Sequence, residues 1–171
     1  MNYHNIERGN MLNGDGIRCV LWVSGCSHNC EGCQNPQTHD PNSGIVFDDN
    51  AKNEIFEILG DKYISGITFS GGDPLFHSNI DTIVELVKEI VDRFPGKTIW
   101  VYTGYTFETL IDMSKHNSCI DYLLHNIDVL VDGRYDTKLC SVEYHWAGST
   151  NQRVIDCMKS MECGEIILHE K

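Results

Sequence analysis

The sequence predicts an α/β fold in which a mainly parallel sheet forms a partial, open βα barrel. Short apolar and β-branched runs alternate with helical patterns along the chain, which is typical of a parallel sheet. The runs also follow one another at the spacing of βαβ units. With 171 residues, the chain is too short for a complete eightfold barrel, which normally needs about 200 residues or more.

Four runs are predicted to be buried strands, namely Arg18–Val23, Gly66–Ser70, Thr98–Tyr102 and Ile127–Val131. The second and third runs are about 32 residues apart, and the third and fourth about 30, which is the length of one βαβ unit. The first interval is about 47 residues because a polar, turn-rich insertion occupies Ser24–Ser43.

The clearest predicted helix is Ser78–Phe94, with Ser78 as its N-cap and Pro95-Gly96 ending it. Its apolar stripe consists of Ile80, Ile83, Val84, Val87, Ile90 and Val91. Further helices are predicted at Asp49–Leu59 and Thr106–Lys115, and short strands at Ser141–Trp146, Arg153–Ile155 and Ile166–His169.

The composition restricts the functional class. The chain has 13 Lys and Arg residues and 25 Asp and Glu residues, so its net charge is −12. This charge argues against binding to nucleic acid, because that affinity rests on Lys and Arg side chains that neutralise phosphates. No apolar run approaches the roughly 18 residues of a membrane helix, and the N-terminus does not resemble a secretory signal. We therefore expect no membrane partner and a reducing, cytoplasmic location, where clustered cysteines favour metal or redox chemistry over disulfides.

Each predicted strand runs into a loop of small or chemically useful residues. The loops begin at Ser24-Gly25-Cys26, Gly71-Gly72-Asp73-Pro74, Thr103-Gly104-Tyr105 and Asp132-Gly133-Arg134. In a parallel sheet these loops meet at the carboxyl edge, where α/β folds bind ligands. Four ordinary turns are the alternative, because Gly and Asp are common turn residues.

The strongest local signal is the CxxxCxxC spacing of Cys26, Cys30 and Cys33. Thiolates are the usual ligands of iron–sulfur clusters and frequent ligands of zinc. Zinc is a competitor, because His28 or His39 could supply a fourth ligand. A cluster held by three cysteines differs in leaving one iron open to an exogenous ligand.

The CxxxCxxC loop after the first strand resembles the signature of radical S-adenosylmethionine enzymes. Gly71-Gly72-Asp73-Pro74 is similar to their glycine-rich motif, which meets the amino group of S-adenosylmethionine. More narrowly, the chain resembles the activating proteins of anaerobic (class III) ribonucleotide reductase from Met1 to about Asp156. The similar stretches are Met1-Asn2-Tyr3, Asn13-Gly14-Asp15-Gly16, Ser24-Gly25-Cys26, Gly32-Cys33-Gln34-Asn35, Ser70–Pro74, Pro95–Trp100, Thr103-Gly104-Tyr105, Val131–Tyr135 and Trp146–Gln152.

The resemblance implies one radical S-adenosylmethionine domain over 1–171, with its core at about 14–156 and an unassigned tail at 157–171. It implies an oxidoreductase in which Cys26, Cys30 and Cys33 hold a 4Fe–4S cluster. The reduced cluster cleaves S-adenosylmethionine, and the resulting radical removes a hydrogen from a glycine of the reductase large subunit. The expected electron donor is a flavodoxin or a ferredoxin-type reductant. The expected cofactor-binding residues are Gly32, Cys33, Gln34, Gly71, Gly72, Asp73, Thr103, Asp132 and Arg134.

Two departures from the family pattern lie near this site. Gln34 stands where Tyr is usual, and Ala147 where Arg is usual, so adenine packing and one partner or substrate contact are in question. The remaining cysteines, Cys19, Cys119, Cys140, Cys157 and Cys163, have no assigned role. The competing functions are activation of another glycyl-radical enzyme, of the pyruvate formate-lyase type, and a non-catalytic iron–sulfur or zinc protein.

Overall fold

The computed structural model describes residues 1–170, which form seven strands and five α-helices. The strands are β1 (Asn2–Asn10), β2 (Ile17–Val23), β3 (Ile45–Val46), β4 (Ile64–Gly71), β5 (Thr98–Tyr102), β6 (Val129–Asp132) and β7 (Arg153–Asp156). The helices are α1 (Asp49–Gly60), α2 (Ile80–Arg93), α3 (Phe107–Ser114), α4 (Ser118–Leu124) and α5 (Cys157–Cys163). Within residues 1–170, none of these helices is long and apolar enough to span a bilayer.

All seven strands belong to one sheet in the order β3-β1-β2-β4-β5-β6-β7. The central strands β2, β4, β5 and β6 pair in parallel, and the outer strands pair antiparallel. The α/β class and the parallel centre are therefore confirmed. Among the described residues β3 and β7 end the order without pairing to each other, so the sheet is open. The barrel-like curvature stays a prediction.

The two faces of the sheet are covered differently because successive side chains of a strand point to opposite faces. On β5, Ile99 and Val101 join the large apolar core, which includes the buried faces of α1, α2, α3 and α4. Trp100 and Tyr102 join a smaller cluster with Val129, Val131 and Val154. The second face is therefore less covered by helices, which leaves room for a ligand cavity on that side of the sheet.

A buried arginine joins the parallel strands on this second face. The guanidinium of Arg18, on β2, donates to the Thr68 hydroxyl at 2.8 Å and to the Ile67 carbonyl at 2.7 Å, both on β4. It also donates to the Thr98 hydroxyl and carbonyl on β5, each at 2.8 Å. Burial lowers the pKa of Arg18 to about 10. Neutral acceptors from two neighbouring strands therefore satisfy a charge that an apolar interior would otherwise exclude.

The four predicted strands are confirmed, with β6 starting two residues later than expected. The three predicted helices are confirmed as α1, α2 and α3. The expected N-cap at Ser78 is wrong, since Asn79 occupies that position and makes no side-chain capping bond. Its amide instead donates to the carbonyls of Ser24 and Asp73, at 2.8 and 2.9 Å. Val91, which belongs to the predicted apolar stripe, lies on the solvent side of α2 and is 45% exposed, so the stripe is buried only at its other positions.

The tail is partly as expected. Arg153–Ile155 corresponds to β7, whereas Ser141–Trp146 contains no strand. The predicted strand Ile166–His169 is a single bridge, between Ile155 and Leu168, that follows the unpredicted helix α5. His169 then lies 2.7 Å from the Asp15 carboxylate. Strands β1 and β3 and helix α4 were also unpredicted.

We expect Gly66→Ala to destabilise the fold strongly. A Cβ at this position of β4 would lie 1.9 Å from the Thr98 carbonyl oxygen on the paired strand β5, and neither backbone can move without breaking the ladder. The free energy of unfolding, measured by denaturant titration, should fall by about 3 kcal/mol or more. Gly60→Ala is the matched control, because nothing lies within 4 Å of its added Cβ. It should leave stability unchanged or raise it by about 0.5–1 kcal/mol.

Candidate functional site at the strand ends

A cavity lies at the carboxyl ends of the four parallel strands. It brings together all three cysteines of the CxxxCxxC loop with residues from the three other strand-end loops. Its lining includes Cys26, Cys30, Cys33, Gln34, Gly71, Gly72, Asp73, Tyr102, Thr103, Gly104, Gly133, Arg134, Tyr135 and Gln152. The convergence predicted from strand order is therefore present in the structure.

The three cysteine thiols are free and half-buried, so they face the cavity unpaired. The loop that carries them needs left-handed backbone at Asn29, with φ of 47°, and at Gly32, with φ of 69°. A side chain at Gly32 would meet Thr137 Cγ2 at 2.2 Å, so only glycine fits this turn. The tight turn places Cys30 and Cys33 on the same cavity wall.

The surroundings of these thiols suit a cationic iron centre. Burial raises the pKa of Cys26, while backbone N–H groups of His28 and Asn29 donate to its sulfur and favour the thiolate. The amide of Asn35 donates to Cys33 Sγ at 3.4 Å. Amide donors directed at sulfur are a common way of tuning iron–sulfur ligands, so the donor set fits the cluster that the cysteine spacing indicates.

The zinc alternative offered His28 or His39 as a fourth ligand, and both residues line the cavity. Throughout residues 1–170, no group of three or more His, Cys, Asp or Glu side chains is placed to hold one metal ion. The Nε2 atom of His28, a candidate fourth ligand, is instead hydrogen-bonded to Asp73 at 2.8 Å. A polynuclear cluster differs from zinc here, because its cysteines bind different iron atoms and need not converge on one point.

Asp73 is buried, and its carboxylate joins three of the strand-end loops. It accepts from the Thr103 hydroxyl at 2.9 Å, from the Gly104 amide at 3.1 Å and from His28 Nε2 at 2.8 Å. Its other oxygen accepts from the Leu75 amide at 2.8 Å. The carboxylate thus fixes the cysteine loop and the β5 loop to the glycine-rich loop that follows β4.

Close backbone contacts explain the glycines of this site. A Cβ on Gly72 would lie 2.5 Å from the Gly25 carbonyl oxygen, which accepts a hydrogen bond from the Asp73 amide at 2.8 Å. A Cβ on Gly104 would overlap the imidazole of His28 at 2.3 Å. Gly71 has a φ of 100°, which side-chain-bearing residues rarely adopt. The absence of side chains at Gly72 and Gly104 therefore allows the strand-end loops to approach one another closely.

Asp132 and Arg134, predicted together as ligand contacts, lie in different surroundings. The buried Asp132 carboxylate accepts from Arg153 Nε at 3.0 Å and from the Phe107 amide at 2.7 Å. It borders a neighbouring depression and does not line the cavity of the thiols. Arg134 does line that cavity, and its guanidinium donates to the His28 carbonyl at 2.6 Å.

Sequence reasoning did not single out several residues of this cavity. Tyr135 follows Arg134 and contributes an aromatic ring to the cavity. Gly148 packs against both this ring and the side chain of Gln34. The side-chain oxygen of Gln152 accepts from the amides of Gly148 and Ser149, at 3.0 and 3.2 Å. Their positions depend on the irregular segment after β6, which has no periodic pattern from which to predict it.

We expect Asp73→Ala to lower the stability of the protein before any cofactor is added. The substitution leaves the Thr103 hydroxyl and the Gly104 and Leu75 amides without their acceptor, and each unsatisfied buried group costs about 1–3 kcal/mol. Denaturant titration should show a loss of about 3 kcal/mol or more. Asp92→Ala, at an exposed position of α2, is the control and should change stability by less than about 0.5 kcal/mol. Equal losses in the two variants would contradict this role for Asp73.

Comparison with known proteins agrees with the cavity chemistry. A family model described as a 4Fe-4S single cluster domain matches residues 12–155. Proteins called anaerobic ribonucleoside-triphosphate reductase-activating protein are similar over nearly their whole length. The one from Enterobacteria phage T4 is 40% identical over 154 residues, covering 90% of this chain and 93% of its own. Those from Escherichia coli K12 and Haemophilus influenzae are 42% and 38% identical, covering 90% and 89% of this chain and 97% and 96% of theirs. The chain therefore belongs to the family of anaerobic ribonucleoside-triphosphate reductase-activating proteins and carries a 4Fe-4S single cluster domain.

Proposed function

We propose that this protein is a radical S-adenosylmethionine enzyme that generates a glycyl radical on the large subunit of an anaerobic ribonucleotide reductase. The observation that carries the proposal is the meeting of three free thiols and a glycine-lined loop in one cavity at the strand ends. The names of the relatives supply the partner, since each is called an activating protein of that reductase. We place the reaction in the cytoplasm, with a flavodoxin or ferredoxin-type protein as electron donor.

Cys26, Cys30 and Cys33 would hold the 4Fe–4S cluster as thiolates. When bound there, the reduced cluster supplies the electron that splits S-adenosylmethionine into methionine and the 5′-deoxyadenosyl radical. The chain's own contribution is to keep the thiols in place. Asp73 does so through His28, and Arg134 through the His28 carbonyl, so that the cysteine loop is fixed from two sides.

Gly71 and Gly72 would allow backbone groups to approach the amino acid part of S-adenosylmethionine closely. Gly32, Gln34 and Thr103 line the same cavity. The guanidinium of Arg134 provides a positive charge suited to a carboxylate. We keep Asp73 in the site as a positioning residue, because four protein donors already occupy its carboxylate. Asp132 lies outside this cavity, in the neighbouring depression. If Asp132→Ala binds S-adenosylmethionine with unchanged affinity, Asp132 is not one of the binding residues.

A hydrogen atom taken by a radical requires neither a general base nor a nucleophile, so the proposal assigns neither role to a side chain. The substrate is a glycine in a large protein, so the cavity must admit a backbone loop from outside. The open sheet and the exposed Arg134 at the cavity rim suit that access. Activation of a pyruvate formate-lyase-type enzyme is the nearest alternative, and the relatives' shared name favours the reductase.

The proposal predicts product formation that depends on reductant and a glycyl radical that depends on the partner. The reconstituted, reduced protein should convert S-adenosylmethionine to 5′-deoxyadenosine and methionine under anaerobic conditions. Adding the reductase subunit should give a glycyl radical signal in electron paramagnetic resonance. No 5′-deoxyadenosine from a preparation with a fully reduced cluster would falsify the enzyme assignment. Cleavage without a radical on the reductase, but with one on a pyruvate formate-lyase-type protein, would reassign the partner.

Cys30→Ser should abolish cluster binding and S-adenosylmethionine cleavage, because a hydroxyl is a poor ligand for iron in place of a thiolate. Iron and sulfide analysis should fall from about four iron atoms per chain to a small fraction of that value. Cys163→Ser is the matched control, since this exposed cysteine ends α5 and does not line the cavity. Wild-type iron content in Cys30→Ser, or equal iron loss in both variants, would remove Cys30 from the ligand set.

A further inference from the structure

The hydroxyl of Tyr102 stands apart among the polar groups of this protein. In residues 1–170 it is the one buried side-chain nitrogen or oxygen that has no hydrogen-bond partner. Buried polar groups in folded proteins almost always have partners, and an unpaired hydroxyl costs about 1–3 kcal/mol. Each such exception needs a reason, and a missing ligand is one of the few reasons available.

The position of Tyr102 relates this hydroxyl to the candidate site. Tyr102 is the last residue of β5 and lines the cavity that contains the three thiols. Its ring packs on the side of the sheet occupied by Trp100, Val131, Trp146 and Ala147. Those side chains hold the ring in place and are apolar apart from the indole N–H groups. The ring is therefore fixed against the cavity with its hydroxyl unpaired.

The next residue shows that the polar groups at this strand end are otherwise satisfied. The Thr103 hydroxyl donates to Asp73 at 2.9 Å and accepts from the Tyr105 amide at 3.2 Å. Arg18, which lies on the same side of the sheet as Tyr102, directs all its donors to carbonyls and hydroxyls. At this strand end, the Tyr102 hydroxyl is therefore the group that lacks a partner, and its ring lines the cavity.

We propose that the Tyr102 hydroxyl donates a hydrogen bond to the S-adenosylmethionine bound in this cavity. This inference rests on the proposed function, because it takes its ligand from it. Tyr102 would be a binding and positioning residue for the cofactor. Burial raises the pKa of the phenol, which favours its neutral, hydrogen-bond-donating form. A ligand oxygen or nitrogen would then replace the partner that the protein does not supply.

The test compares wild-type protein, Tyr102→Phe and Tyr122→Phe, each reconstituted with its cluster in the oxidised state. Tyr122 is the matched control because it lies on α4 and does not line the cavity. S-adenosylhomocysteine is the probe, since it lacks the sulfonium bond that reduction cleaves. Calorimetry gives its dissociation constant, and thermal unfolding without ligand gives the intrinsic stability of each variant.

We expect the dissociation constant for S-adenosylhomocysteine to rise about three- to tenfold in Tyr102→Phe and to stay unchanged in Tyr122→Phe. The ligand-free melting temperature of Tyr102→Phe should equal or exceed that of the wild type, because the lost hydroxyl had no partner. Parallel titrations with 5′-deoxyadenosine and with methionine identify the half of the ligand that accepts the bond, since only that half should lose affinity.

Unchanged affinity in Tyr102→Phe, with normal binding by the wild type, would overturn this inference and leave the proposed function intact. A lower ligand-free melting temperature would overturn it as well, because that result marks a hydroxyl already paired with a buried water. Failure of the wild-type holoprotein to bind S-adenosylhomocysteine would instead count against the proposed function itself, and against this inference with it.

Discussion

The buried carboxylate of Asp73 is the interaction on which the site depends. It reaches the cysteine loop through His28 and the β5 loop through Thr103 and Gly104, while its own amide is bonded to Gly25. The acceptor capacity of one carboxylate is thus used by groups that are far apart in sequence but adjacent at the sheet edge. Without a shared acceptor these loops would leave several buried donors unpaired, and a cavity of fixed shape could not form among them.

The sheet beneath imposes the second constraint. Parallel pairing of β2, β4, β5 and β6 brings their carboxyl ends to one edge, and the last residues of β2, β4 and β5 line the cavity there together with the loops that follow the strands. At the other end of the strands, Arg18 bonds to β4 and β5. Its acceptors there are neutral carbonyl and hydroxyl groups, so the strands are joined at that end without a buried carboxylate partner.

Patterned features of the chain could be predicted, and features set by tertiary contacts could not. The apolar runs of β2, β4, β5 and β6 and the stripe of α2 follow from local periodicity, and the cysteine spacing singled out a loop whose three thiols line the cavity. Ser78 satisfied every local rule for an N-cap, yet Asn79 took the position because its amide bonds to the Ser24 and Asp73 carbonyls. The partner of Asp132 could not be predicted either, because Arg153 lies on an edge strand and no local pattern in the sequence connects the two residues. Ser141–Trp146 failed as a strand because only a bridge between Cys140 and Ser149 flanks it, leaving no ladder to join.

These observations separate the polar residues of the site into two groups. Asp73 and Asp132 are buried and direct their carboxylates to protein donors, so they shape the loops and present little charge to the cavity. Arg134 brings a positive charge to the cavity, and the neutral Gln34 lines it as well, at the position where Tyr is usual in the family that the chain resembles. With Tyr135 beside Gln34, an aromatic ring is still available at that wall, supplied from the β6 loop. A departure in the cysteine loop therefore need not remove aromatic packing from the cavity, because the fold places a second loop against the same wall.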